Sequence, residues 1–392
     1  MAVTTSHTPA RSTTTTASAR DPWFDNAKMA LVLLVVVGHS WTLLPRAGAT
    51  SHLYDFLYTW HVPAFVFVTG YLSRSFTYEP RRMWQLVRTV AIPYVIFESA
   101  LALFRIYVGG EHLRDIFQDP HWPMWYLSAL FFWRLGTPVF KAMPSYAALP
   151  VSVAISVLGG MVADSTFDFF RICGFLPFFV LGLKASPQAL ERLREPWARQ
   201  AAVLVFLAIA VATTWMDQLV GTTDWLYYSY GYHHLGVSDA HGAVLRAALL
   251  VVGVLGALAF FALVPRNRGW FTRMGAATLV VYLFHGFVIK SAFYAGYAGW
   301  ADDHATLALP VTTAAAVALA LLLACPPVAR VLTHAVDPFG TAEKHVKEAV
   351  LLAEAPAQAE EIAEAVQEAV SEGAVSEGAV SEVATERPLV AR

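Results

Sequence analysis

The chain has 392 residues, of which 57% are apolar, 13% aromatic and only 14% charged, with a formal net charge of −2. That balance excludes an ordinary water-soluble domain, and the basic residues, scattered in short clusters between apolar runs, exclude a nucleic-acid footprint; lipid is the expected surrounding. The two cysteines, Cys173 and Cys325, lie far apart in apolar segments and make neither a disulfide framework nor a CxxC motif.

Residues 1–20 are rich in Ser and Thr and read as a disordered N-terminal segment. A signal peptide is the rival reading, from the MALVLLVVV run and the small residues Ala47-Gly48-Ala49. Its polar leader is unusually long, however, His39 interrupts its apolar core, and further apolar segments follow at once. A bilayer-crossing helix takes about 20 mostly apolar residues. Ten segments fit, within 28–45, 54–72, 88–108, 123–140, 145–163, 167–184, 199–216, 242–264, 275–291 and 306–329. An even number puts both termini on one side. The loops 73–87, 141–146, 184–199 and 265–274 hold eleven Lys and Arg, whereas the alternate loops hold only Arg46 and Arg114, so both termini are expected in the cytoplasm. Residues 21–340 therefore read as an all-α polytopic membrane domain of about ten transmembrane helices. Residues 341–392, with SEGAVSEGAVSEV from Ser371 to Val383, read as an acidic low-complexity cytoplasmic tail.

A charge at the bilayer centre costs about 2.5–3.5 kcal/mol on insertion scales, so each ionisable group kept there is a functional candidate. His39 stands out: it follows Lys28 by eleven residues, about 16 Å along a helix, and eleven steps of about 100° return to nearly the same face. The pair suits a ligand whose polyanionic end stays at the cytoplasmic rim while a reactive tip reaches an imidazole near mid-depth. A neutral imidazole can take a proton from a hydroxyl there. His61, in WHVPAFVFVTGYL, lines a cavity or caps a carbonyl freed by Pro63; His285, in VYLFHGF, packs or joins the pocket. Glu98 and Arg105, seven residues apart on one face, can pair with each other or serve a pocket, while Arg246 and Lys290 lie near helix ends and can snorkel. Arg134 and Arg171 complete the buried set. No two histidines have the i, i+4 spacing of a helical zinc motif, so no metal is expected. In YEPRRMWQLVRTVAIPY, Arg81, Arg82 and Arg88 stand at the mouth of the third span, where guanidinium groups can hold phosphates. The loop 222–242 offers Trp225, Tyr227, Tyr228, Tyr230 and Tyr232, whose rings suit sugar faces and equally suit interfacial packing.

These residues carry a resemblance. RDPWFDNAKMALVLLVVVGH resembles the opening of integral-membrane acyltransferase family 3, in particular its fucose-4-O-acetylase-like branch, with Asp25, Lys28 and His39 in the expected places. WHVPAFVFVTGYL, the basic loop ending IPY, MWYLSAL, FLPFFVLG and VYLFHG follow in the expected order, so the likeness runs from about residue 20 to 330. The resemblance implies transfer of an acyl group, usually acetyl from acetyl-CoA, to a hydroxyl of a carbohydrate or related surface molecule. His39 would be the catalytic base or acyl carrier, with Lys28 and Asp25 beside it in the motif and Lys28, Arg82 and Arg88 holding the donor. His61, Glu98, Trp125 and His285 would line the pocket. One departure is Gln85, which occupies the first position of the family's Arg-x-x-Arg pair ending at Arg88. The expected partners are acyl-CoA, a hydroxyl acceptor and membrane lipid, and the excess of Arg over Lys points to a bacterial plasma membrane. A proton-coupled transporter of a sugar or lipid-linked precursor is the alternative, since several spans with buried ionisable groups also describe a carrier.

Overall fold

A computed structural model describes residues 21–113, 115–161 and 166–343. The N-terminal segment 1–20, Arg114 and the acidic tail beyond residue 343 lie outside the described residues. All regular structure among them is helical: α1 Pro22–Ser40, α2 Ala49–Leu72, α3 Pro80–Leu86, α4 Ile92–Tyr107, α5 Trp125–Ala142, α6 Ser145–Gly159, α7 Phe169–Lys184, α8 Pro187–Arg192, α9 Pro196–Ala212, α10 Met216–Leu219, α11 Asp239–Leu263, α12 Trp270–Met274, α13 Thr278–Tyr294, α14 Tyr297–Asp303, α15 Ala305–Ala324 and α16 Pro326–Val336, with short 3-10 turns between some of them.

Each of the ten apolar segments lies on one of these helices. Six stretches are long and apolar enough to cross a membrane: Pro22–Leu43, Pro80–Tyr107, Thr166–Lys184, Pro196–Leu219, Asp239–Leu263 and Ala305–Ala324; α13 and α14, bent by 65°, make a seventh if taken together. The molecule is thus an all-α polytopic membrane protein. The helices that miss that standard include α2, which carries Tyr54, Asp55, Tyr58 and His61, and α5, which begins at Trp125 and holds Arg134.

Local chemistry sets the helix ends. Asp21 caps α1, its side chain accepting the Trp23 N–H at 3.0 Å, and Pro22 fills the first turn, where no backbone donor is needed. Between α3 and α4, residues Val87–Ala91 form a π turn, and Pro93 follows. A wider turn there relieves the clash that a proline ring makes with the carbonyl four residues back. Gly110, at φ +65°, ends α4 in the left-handed region that glycine adopts freely.

Helix α2 is central, packed against α1, α7 and α11, while α1 also touches α13 and α15. The α2–α7 contact depends on two glycines. A Cβ at Gly70 would overlap the Phe179 carbonyl, and one at Gly182 would overlap the Phe67 carbonyl, so the backbones meet directly there. Helices α9 and α11 use Ala198, Ala202, Ala259 and Ala262 in the same way. The start of α1 is tied to the cation-rich loop before α12: Asn26 donates to the Pro265 carbonyl at 2.8 Å, and Trp23 Nε1 to the Phe261 carbonyl at 3.2 Å.

Arg246 corrects an expectation. It does not snorkel: it is 1% exposed, with its guanidinium 4.4 Å from the Tyr228 ring centre, 5.7 Å from Tyr232 and 6.0 Å from Trp225. The loop 222–242 folds back over α11 and supplies an aromatic cage inside the protein. Most of that loop's rings are therefore structural, with Trp225, Tyr228 and Tyr232 buried.

Candidate functional site

His39 sits in the last turn of α1 and is buried, with 8% of its surface exposed. It lies thirteen residues beyond Asn26, which is level with the cation-rich loop, hence about 20 Å from that rim at about 1.5 Å per residue. That puts the ring nearer the cation-poor end of α1. There it borders a cavity of about 240 Å³ walled by Tyr54 and Tyr58 of α2, Trp122 and Trp125, and Arg171 and Phe175 of α7. Of the aromatic loop only Leu226 and Tyr227 reach this cavity. Tyr54 and Tyr58 are stacked, with ring centres 4.1 Å apart, and Trp125 stacks on Phe175 at 5.4 Å.

Hydrogen bonds behind His39 define its tautomer. His285 Nδ1 faces the Val281 carbonyl at 3.1 Å, and a carbonyl only accepts, so this nitrogen carries the hydrogen. In a neutral ring the other nitrogen, Nε2, is then an acceptor. It lies 2.8 Å from His39 Nδ1, which must donate. His39 Nε2 is left with a bare lone pair and no partner among the described residues. A histidine oriented by a second, fully buried histidine is therefore presented to the cavity as a base.

The segment ahead of α5 holds the ring in place. Trp122 covers His39 with ring centres 4.4 Å apart, and Pro123, joined to it by a cis peptide, receives the Tyr282 hydroxyl hydrogen bond at 2.5 Å. Gly286 makes room for this contact: a Cβ there would stand 3.0 Å from Pro123 Cδ. The glycine of VYLFHG thus lets Trp122 approach His39, a role that the sequence leaves hidden.

A second cavity of about 780 Å³ adjoins the first and shares Thr42, Trp122 and Arg171 with it. This vestibule faces the cation-poor loops, and its walls are charged. Arg105 donates to Glu111 at 2.5 and 2.9 Å, Lys290 reaches the same carboxylate at 3.3 Å, and Arg171 pairs with Asp168 at 2.7 Å. Glu111 lies in the loop after α4. Partial burial works to raise its pKa, but Arg105, Tyr294 and Lys290 outweigh it and hold the carboxyl down to about 2. Asp168, like Phe167 before it, adopts a left-handed backbone conformation, at φ 57° and 54° respectively.

The expected Glu98–Arg105 pair does not form. Seven residues are two helical turns, about 10 Å, too far for direct contact. Glu98 instead accepts from the backbone N–H of His121 at 2.9 Å and from His121 Nδ1, while Arg105 turns to Glu111. Lys290, on the vestibule wall, likewise pairs with Glu111 rather than snorkelling.

Of the expected site residues, the structure gathers His39 and Trp125 at the inner cavity, sets His285 behind His39, and puts Glu98 behind the vestibule wall. His61 lies apart: its Nδ1 bonds the Leu57 carbonyl at 2.7 Å, it is fully buried, and it borders neither cavity. Lys28 and Asp25 pair with each other at 2.8 Å near the opposite end of α1, and neither lines the cavity at His39. Arg82 bonds Gln85 at 3.3 Å, so the residue that departs from the Arg-x-x-Arg pattern occupies one of the expected donor ligands. Arg88 lies in the π turn on the same approach to α4. Sequence reasoning missed His121 and Trp122, in DPHWPMWYL, because a loop is where polar residues are unremarked; the only signal was a histidine directly before Trp-Pro at the start of a span.

On the cation-rich side of the two histidines stand buried Tyr282, with its ring centre 6.1 Å from that of His285, and Tyr126, 5.7 Å from Tyr282 and hydrogen-bonded to Thr69. The cavity at His39 takes no lining from the cation-rich loops.

Comparison with known proteins gives two findings. Residues 21–327 match the model of acyltransferase family 3, described as an acyltransferase domain. The nodulation protein NolL of Sinorhizobium fredii (strain NBRC 101917 / NGR234) is 25% identical over 303 residues, covering 70% of this chain and 79% of the relative. No solved structure matches.

Proposed function

The chain belongs to acyltransferase family 3, and from that premise we propose that it moves an acyl group, acetyl, from acyl-CoA to a hydroxyl of a carbohydrate, with His39 as general base. Family membership makes it a membrane acyltransferase and removes the carrier reading. The observation that carries the finer proposal is the Val281–His285–His39 hydrogen-bond chain, which leaves His39 Nε2 unprotonated at an aromatic cavity. Stacked tyrosine and tryptophan faces suit a sugar ring, and this supports a carbohydrate acceptor.

The reaction runs as follows. An acceptor hydroxyl in the cavity gives its proton to His39 Nε2 as its oxygen attacks the thioester carbonyl. The C–S bond then breaks, and the proton passes from His39 to the thiolate, releasing CoA and the O-acyl product. A thioester is already activated, so the chief tasks are alignment and the timing of one proton. His285 keeps the ring in the productive tautomer throughout.

By the positive-inside rule the cation-rich end is cytoplasmic, and with ten spans both termini are too. The plasma membrane of a bacterium is the proposed location. Acyl-CoA then enters from the end that holds Lys28, Arg82 and Arg88, which bind its phosphates, and the buried Tyr126 and Tyr282 must part for its thioester arm to reach His39. The acceptor comes through the vestibule on the other side. Asp25 orients Lys28 through their ion pair and takes no part in the chemistry.

The test uses purified protein in lipid nanodiscs with acetyl-labelled acetyl-CoA and de-esterified cell-envelope glycans from cells lacking the protein. Free CoA and ester-linked label on the glycan are expected. His39→Ala should lower the rate by about 100- to 10,000-fold while the protein stays monodisperse. Full activity in that variant removes His39 from the mechanism.

A further inference from the structure

Glu98 is a carboxylate with no exposed surface, and one of its two oxygens, Oε2, has no hydrogen-bond partner among the described residues. The other takes both available N–H groups of His121, the backbone one at 2.9 Å and the ring Nδ1. A buried pair of this kind adds little to stability compared with apolar residues of the same volume, so stability alone does not account for it. What the pair does achieve is orientation. With Nδ1 and the backbone fixed on Glu98, His121 has a single free ring atom, Nε2, and His121 borders the vestibule of about 780 Å³. The next residue, Trp122, is the one that covers His39, and the vestibule and the His39 cavity share the walls Thr42, Trp122 and Arg171.

We propose that His121, backed by Glu98, is an acceptor-binding residue of the vestibule, gripping a second polar group of a polyhydroxylated acceptor so that its reactive hydroxyl meets His39. Glu98 is the positioning residue that acts through it. The inference rests on the acyltransferase reading above and adds a substrate requirement. The acceptor carries at least two polar groups, one for the aromatic cavity of about 240 Å³ and one for the charged vestibule. A compact alcohol with a single hydroxyl would reach only the first. The two histidines divide the work: His39, backed by His285, exchanges a proton, and His121, held by Glu98, offers one fixed ring atom for a hydrogen bond.

Kinetics in nanodiscs, with de-esterified envelope glycans as acceptor probe, separate the possibilities. His121→Gln and Glu98→Gln should each raise KM for the glycan by about 3- to 10-fold, the range for a lost hydrogen bond. KM for acetyl-CoA and the slow hydrolysis of acetyl-CoA by water should stay within about twofold, because neither touches the vestibule grip. Glu98→Gln preserves shape, and so serves where His121→Gln fails to fold. A glycan KM unchanged in the folded variants overturns the proposal, as does an equal loss of water and glycan reactions. Wild-type protein that releases no CoA at all would instead refute the acyltransferase reading on which it rests.

Discussion

Helices α2 and α7 run side by side, yet their two ends behave differently. At the cation-rich end Gly70 and Gly182 let the backbones touch. At the cation-poor end the same helices present Tyr54, Tyr58, Arg171 and Phe175, and between them lies the cavity at His39. Side-chain size at the contact sets helix spacing: glycine lets the helices close, and large aromatic residues hold them apart and leave a walled space. The protein thus builds a clamp and a mouth from one helix pair. The clamp fixes the geometry on which the mouth's polar network depends.

The largest expected effect breaks the clamp. Gly182→Val puts a side chain where the Phe67 carbonyl stands, and backbone cannot yield as a rotamer can. Little monodisperse protein should be recovered by size-exclusion chromatography, and recovery at the wild-type melting temperature would contradict the close approach. Next, His285→Phe leaves the clamp intact and removes the acceptor behind His39. Its kcat should fall by about 10- to 100-fold, as for loss of a hydrogen bond that orients an active group, with KM for the glycan within about twofold; an unchanged kcat would show that the histidine pair is only packing. At the far end of α1, Lys28→Met should raise KM for acetyl-CoA by about two- to fivefold, the range for an exposed ionic contact, and leave kcat alone. A larger fall in kcat would contradict the separation of Lys28 from the chemistry.

The smallest effect tests the vestibule rim. Glu111 has its carboxyl held at about 2 from an ordinary value of 4.5, so its ion pairs stabilise the fold fully above about pH 4.5 and lose that contribution as pH falls toward 2. Glu111→Gln should therefore melt below wild type at pH 7, with the gap closing as pH drops through that window. A gap that widens in acid would reverse the sign of the linkage.

Much of the molecule was legible in the chain. Each apolar segment forms a helix, since a run of about 20 residues in lipid has no other way to satisfy its backbone. His39 announced itself because a polar group in such a run needs a reason. Its same-face relation to Lys28 is helix geometry alone: the two lie about 16 Å apart along α1, and only a ligand of that length could meet both. Of the two readings of Glu98, pairing with Arg105 fails for a related cause: its partner comes from a loop that sequence spacing does not connect to it. His121 and Trp122 drew no notice because polar and aromatic residues in a loop violate nothing.

By itself the sequence determined which segments form apolar helices, which loops carry the cations, and which few polar groups require explanation, because hydropathy and charge act residue by residue. Only tertiary structure decided that His285 lies behind His39, that Trp122 covers it, and that Glu98 turns to His121. Hydrogen bonds and ring contacts act over a few ångströms, and residues 83 or 246 positions from His39 come within that range only when the helices pack.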